Sequence, residues 1–299
     1  MNHTISAKLL SLVFFLAITS IVSAQREKTP ITPVQVTDRI LMLKGSGGNI
    51  GVFLDDDGVI MIDDQFAYMA EKISAAIAEK TDMPIKYLIN THWHGDHTGG
   101  NEIFGNKGAT IIAHDNVRKR LSTDQVRPFG RTTEASPAMA WPKLTYNEEF
   151  TIHTSEESIE LIHIHNAHTD GDSFVFFPMS NVLHMGDTFF VGRFPFVDVD
   201  MGGSPDGLIA AVEAALMIVD EDTQIIPGHG ELSNKQNLKD YHQMLLIMRD
   251  RVKAAMAKGM AEDAIDVETL TKGFESWGGG FISGEKYVCL LYTSDAADE

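Results

Sequence analysis

The chain has 299 residues, 43% of them hydrophobic and 22% charged, with 24 Lys and Arg against 42 Asp and Glu for a formal net charge of -18. That composition is globular, and so acidic a chain without a basic run excludes general affinity for nucleic-acid phosphates. A single cysteine, Cys289, excludes a disulfide framework and cysteine-based zinc knuckles, whereas 12 histidines are an excess that asks for a chemical reason.

Residues 1–24 read as a secretory signal: Lys8 gives a positive start, Leu9 to Ile21 an apolar stretch, and Val22-Ser23-Ala24 a small-residue cleavage site. The apolar run is shorter than the ~20 residues a bilayer span needs, so the expectation is export to the periplasm or medium, with no membrane attachment after cleavage. One domain is expected over residues 25–288. The tail 289–299, CLLYTSDAADE, breaks off a periodic segment and resembles translated sequencing-adapter read-through, so it is expected to be non-native.

Between the ends, β-branched runs at Val34 to Val36, Arg39 to Leu43, Ile50 to Leu54 and Val59 to Ile62 predict a meander of strands. Tyr68 to Lys80 has helical spacing, Ile85 to Ile89 and Thr110 to Ala113 return to strand, and Arg127 to Pro142 reads as a loop. Strands follow near Ile159 to His163, Asp172 to Phe177 and Val182 to His184. Two helices, Asp206 to Val219 and Gln236 to Ala257, then flank a short strand at Ile225-Ile226. The order suggests an α+β arrangement of two stacked sheets with helices outside.

The densest chemistry is Thr91-His92-Trp93-His94-Gly95-Asp96-His97-Thr98-Gly99-Gly100, directly after a strand. Three imidazoles and a carboxylate within six positions converge only if the chain turns sharply, which the glycines would permit. On an extended segment His92 and His94 share a face and can grip one ion, while Asp96 and His97 can face a second; imidazole and carboxylate suit zinc and similar ions. His168, Asp187 and His229 each follow a β run beside glycine, as ligands on strand-end loops do.

On these motifs the chain resembles the metallo-β-lactamase superfamily of binuclear hydrolases over roughly Val34 to Tyr287. The resemblance implies a four-layer αβ/βα sandwich of two mixed sheets. It implies a first metal on His92, His94 and His168, a second on Asp96, His97 and His229, and Asp187 bridging both. Asp63, ending the strand Val59 to Ile62, would orient a ligand histidine. Secreted β-lactamases with this histidine triad carry cysteine where Asp187 stands, whereas other hydrolases of the superfamily carry aspartate. The harder carboxylate suits two divalent ions, Zn2+ foremost, with Fe or Mn admissible.

The implied function is an exported, zinc-dependent hydrolase in which a metal-bridging hydroxide opens an amide, lactone or (thio)ester of a small molecule, with weak β-lactam turnover. Asp96 would orient the nucleophile and shuttle its proton. The alternatives are a mononuclear iron dioxygenase of the same superfamily or a dedicated metallo-β-lactamase.

Arg193, the one basic residue between Asp187 and Lys235, could bind a substrate carboxylate or pair with Asp198 or Asp200. His163 and His165 read as solvent-facing and His184 as a support for Asp187. His114, His153 and His242 show no partner pattern. Trp93 is expected to pack its loop.

Overall fold

The computed structural model describes residues 29–127, 132–261, 264 and 266–295; the signal-like segment 1–24 lies outside them. Strands β1 (Thr32–Gln35), β2 (Ile40–Lys44), β3 (Ile50–Asp55) and β4 (Gly58–Ile62) form the antiparallel meander. β5 (Ile85–Ile89) and β6 (Thr110–His114) then add in parallel. A separate two-stranded ribbon, β7 (Gln125–Val126) with β8 (Thr132–Thr133), interrupts the segment that reads as loop. β9 (Leu144–Tyr146) completes the first sheet of seven.

The second sheet of six runs through β10 (Glu149–His153), β11 (Ser158–Ile164), β12 (Asp172–Phe177), β13 (Val182–His184), β14 (Gln224–Ile226) and β15 (Ser233–Asn234). Its strands are antiparallel except for the parallel β13–β14 pair, so both sheets are mixed.

Strand alternation explains the layering. Ile60 and Ile62 of β4 face the second sheet in one apolar layer with Ile112, Leu161, Val175 and Ile226. Val59 and Met61, on the opposite face, pack under the helix Ala70–Ala78 through Ile73 and Ile77. The far side of the second sheet is covered by the helices Pro205–Ile218 and Lys235–Met256, whose Leu208, Val212, Leu245 and Met248 join a third cluster. The result is the expected four-layer αβ/βα sandwich. The C-terminal ends of β4, β5, β6, β11, β13 and β14 therefore meet at one edge, where the connecting loops gather.

Ser204 caps the helix Pro205–Ile218 by accepting from Gly207 N, with Pro205 at its first position. The last helix, Gly284–Asp295, runs through the segment read as foreign; its Leu291 is buried and Tyr292 donates its hydroxyl to Met260 O. Among the described residues no helix is long and apolar enough to cross a membrane.

Candidate metal centre

Four loops deliver the expected ligands to that edge. After β5 the chain runs through Thr91 and His92 into the one-turn helix Gly95–Thr98, which places His97 inward and Asp96 at the rim. The glycines here serve close approach rather than unusual dihedrals. Gly99 and Gly100 have ordinary φ of -66° and -85°, and a Cβ on Gly100 would lie 2.9 Å from Asp64 Cγ. After β13, Gly186 takes φ +52° and turns Asp187 back into the site. His184 holds that turn by accepting from Gly186 N while donating to Asn49 O.

His92, His94, His168 and Asp187 form one group, and Asp96, His97 and His229 a second; within each, one ligand atom per residue lies within 4.8 Å of the others. The carboxylate of Asp187 stands between the groups. Its Oδ1 lies 3.1 Å from His97 Nε2 and 3.3 Å from His229 Nε2, while Oδ2 faces His168 Nε2 at 3.6 Å and His92 Nε2 at 3.9 Å. Asp96 Oδ2 is 3.4 Å from His229 Nε2 and 3.8 Å from His97 Nε2.

The surrounding hydrogen bonds fix which nitrogen each imidazole offers. His168 Nδ1 donates to Phe196 O at 2.7 Å, and His97 Nδ1 donates to Asp63 Oδ2 at 2.7 Å. Asp63 also accepts from Thr91 N and Thr91 Oγ1, so the threonine oxygen is left to accept from His92 Nδ1 at 3.1 Å. His94 reverses the pattern: its Nε2 donates to Asp198 Oδ2 at 2.7 Å, which turns Nδ1 inward. Every one of these four rings thus spends one N–H on the scaffold and presents a lone pair to the site.

Those donors fit a divalent metal. His94 Nδ1 lies 2.9 Å from His168 Nε2 and 3.2 Å from His92 Nε2. Three lone pairs held so close repel unless something positive stands between them, and nitrogens bound ~2.0–2.1 Å from a tetrahedral zinc are separated by about 3.3 Å. The buried atoms His97 Nε2 and Asp187 Oδ1 likewise have no hydrogen-bond partner.

Electrostatics separate the two groups. Burial, reinforced by neighbouring imidazoles, pushes His92 and His168 below the ordinary imidazole range and keeps them neutral. Burial also opposes charge on His97 and His229, but carboxylates overcome it: Asp187, Asp96 and Asp63 hold His97 well up, and Asp187 with Asp96 raise His229 to about 9. Burial alone would raise Asp96; His97 and His229 instead draw it down to about 2. The second group therefore draws positive charge, whether a proton or a cation.

Of the two expectations for Arg193, the structure does not form the ion pair. It is exposed, its stem lies against Gly280, and it pairs with neither Asp198 nor Asp200 among the described residues. Asp198 is gripped instead by Arg127, through Nη1 at 2.9 Å and Nη2 at 2.7 Å. His163 is not solvent-facing: it is buried, stacked at 3.6 Å on the ring of His114, and bonded through Nδ1 to Asp172 O. His165, one residue past the strand end, is exposed beside Glu148. Trp93 packs its loop as expected, with Ala113, Val117, Leu121 and Met201. Asp198 and Arg127 are the site-supporting residues that sequence reasoning missed.

The fold and paired donor groups define a metal-binding αβ/βα sandwich. Residues 43–229 match the family Metallo-beta-lactamase superfamily, and the chain belongs to it. It is similar to a hydroxyacylglutathione hydrolase of Nitrosococcus oceani, 28% identical over 162 residues that cover 53% of this chain and 54% of that protein. Another relative is the 2,4-dinitroanisole O-demethylase subunit alpha of a Nocardioides species, 31% identical over 36% of this chain and 30% of that protein. The chain thus spans about half or less of the curated relatives it matches. Among solved structures, a metallo-beta-lactamase from Pontibacter korlensis has TM-score 0.60 at 14% identity, covering 72% of this chain and 99% of that one. The sec-alkylsulfatase Pisa1 from a Pseudomonas species has TM-score 0.67 at 15% identity, covering 88% and 50%. At such identities these likenesses concern the fold alone.

Proposed function

We propose that this protein is an exported hydrolase that uses two divalent ions, zinc foremost, to open an amide, lactone or (thio)ester of a small molecule. The observation that carries the reading is the division of Asp187 between the groups, one oxygen toward each. His92, His94 and His168 would hold one ion, Asp96, His97 and His229 the other, and Asp187 both. Bound there, such ions supply Lewis acidity and a water-derived nucleophile at neutral pH. Export rests on the signal-like pattern of residues 1–24.

The chain's own residues supply the remainder. Asp96 is the ligand-set carboxylate most open to solvent, 28% exposed against 6% for Asp187, so it is placed to orient a water, take its proton and pass it to a leaving group. Phe190 stacks on His229 at 5.5 Å, and Phe196 stands 5.8 Å from both His94 and His168, walling the site against bulk water. Arg193, on the loop after Asp187 and free of any ion pair among the described residues, is the proposed contact for a substrate carboxylate. The complete second group favours this reading over a mononuclear iron dioxygenase.

The test is metal content by mass spectrometry after zinc saturation, followed by kinetics on a lactone, a thioester and three β-lactam classes. About two ions per chain with turnover of at least one carbonyl substrate is expected, and β-lactam turnover is expected to be weak. One ion per chain, or no turnover across the panel, would overturn it.

A further inference from the structure

We infer that Arg127 is a positioning residue for the first metal group, acting through Asp198 on His94. The inference rests on the metal-binding reading of the site. Asp198 is 2% exposed and carries three charge-assisted contacts: both guanidinium nitrogens of Arg127 and the Nε2–H of His94. The two-pronged grip fixes the plane of the carboxylate, and that plane fixes the ring of His94. His94 depends on this more than its partners do, because it alone offers Nδ1, the nitrogen nearer the backbone, and its other nitrogen has Asp198 as partner.

Arg127 itself is anchored from elsewhere. It lies just past β7, and its guanidinium sits 5.7 Å over the ring of Trp93, beside His94 in the chain. The helix Asp115–Ser122 that precedes it is tied to the His168 turn, by Arg120 to Asp170 at 2.6 Å and by Asn116 Nδ2 to Asp170 O at 2.6 Å. Gln125 is bonded back to Arg120 and Thr123. One stretch, residues 115–127, therefore braces two ligand-bearing loops at once, the base holding the His168 turn and the tip aligning His94. Ligand geometry and the placement of this stretch are coupled, and coupling of that kind is reciprocal.

The test isolates the first group by working in a His229→Ala background. Zinc is titrated against a competing chromophoric chelator, and amide exchange over residues 115–127 is followed with and without zinc. Arg127→Ala should weaken zinc about tenfold to a hundredfold, the usual range for a lost outer partner. Arg127→Lys, which cannot grip both oxygens, should recover only part. Asp198→Asn should also weaken zinc, since a single amide oxygen can keep His94 Nε2–H but no longer takes both guanidinium nitrogens that fix its plane. Zinc should slow exchange over 115–127 in the background protein and lose that effect in Arg127→Ala. Near-UV circular dichroism of Arg127→Lys keeps a folding defect distinguishable. An unchanged zinc constant in Arg127→Ala and Asp198→Asn would overturn the inference alone. A background protein that binds no zinc would overturn the metal reading and the inference with it.

Discussion

Asp63→Asn changes one atom of a buried carboxylate that reaches both metal groups, His97 directly and His92 through Thr91. Asp63 is fully buried at φ +61°, a conformation asparagine also tolerates, so the backbone has no reason to move. Its Oδ1 accepts from Thr91 N at 2.8 Å, and its Oδ2 accepts from Thr91 Oγ1 and His97 Nδ1, both at 2.7 Å. If the amide oxygen keeps Thr91 N, the NH2 group faces two former donors. His97 must then accept on Nδ1 and carry its proton on Nε2, facing the site. The Thr91 hydroxyl must turn its proton to His92 Nδ1, with the same consequence there.

Metal binding would instead select the flipped amide, which restores both imidazoles and leaves Thr91 N–H against an NH2. That unsatisfied buried donor costs about 1–3 kcal/mol, so zinc affinity should fall roughly fivefold to 150-fold. Chelator competition measures it, with circular dichroism showing a retained fold. Affinities unchanged within a factor of about two would refute the claim that Asp63 sets these tautomers.

Asp187→Ala should leave less than one zinc per chain after desalting, because four imidazoles lose their shared carboxylate; Asp187→Cys should bind zinc in preference to manganese, thiolate being softer. Gly48→Ala should abolish zinc binding at the second group, since a Cβ there would lie 2.1 Å from His97 Cε1 and 2.4 Å from Nε2, and that ring is wholly buried. Stability of the metal-free protein should peak near pH 6.5 in a urea series. Below it, His163 and His184, held by burial to about 4 in the folded state, stay neutral while the unfolded chain takes up protons, so their contribution is lost between about 6.5 and 4. Above it, His229 is raised to about 9 by Asp187 and Asp96, so its contribution is lost as pH climbs through about 9.

The ligand motif was legible because its residues are both unusual and crowded. His92, His94, Asp96 and His97 fall within six positions, and each of His168, Asp187 and His229 follows a strand that ends at the same edge. Asp172 to Phe177 and Val182 to His184 are strands with the expected bounds, since each carries a short apolar run, Phe174 to Phe177 and Val182-Leu183, into a buried sheet. Glu149–His153 did not stand out: an edge strand with alternating exposed positions carries too few apolar residues to separate it from loop. The one-turn helices at 95–98 and 101–106 are shorter than the pattern that would reveal them.

What stayed hidden follows one physical rule. A ligand announces itself by residue type, but its tautomer is set by a partner that proximity in the chain does not reveal. His94 reaches its carboxylate 104 positions away, and that carboxylate reaches its arginine 71 positions back along the chain. Asp198 and Arg127 look in sequence like any surface acid and base, and nearness in the chain points Asp198 to Arg193, whereas the fold brings it Arg127. His163 obeys the same rule: its alternation with Ile162 and Ile164 marks a strand face without saying what covers it. His114, at the end of β6 in the other sheet, covers it by stacking, and only the packing of the two sheets brings those rings together.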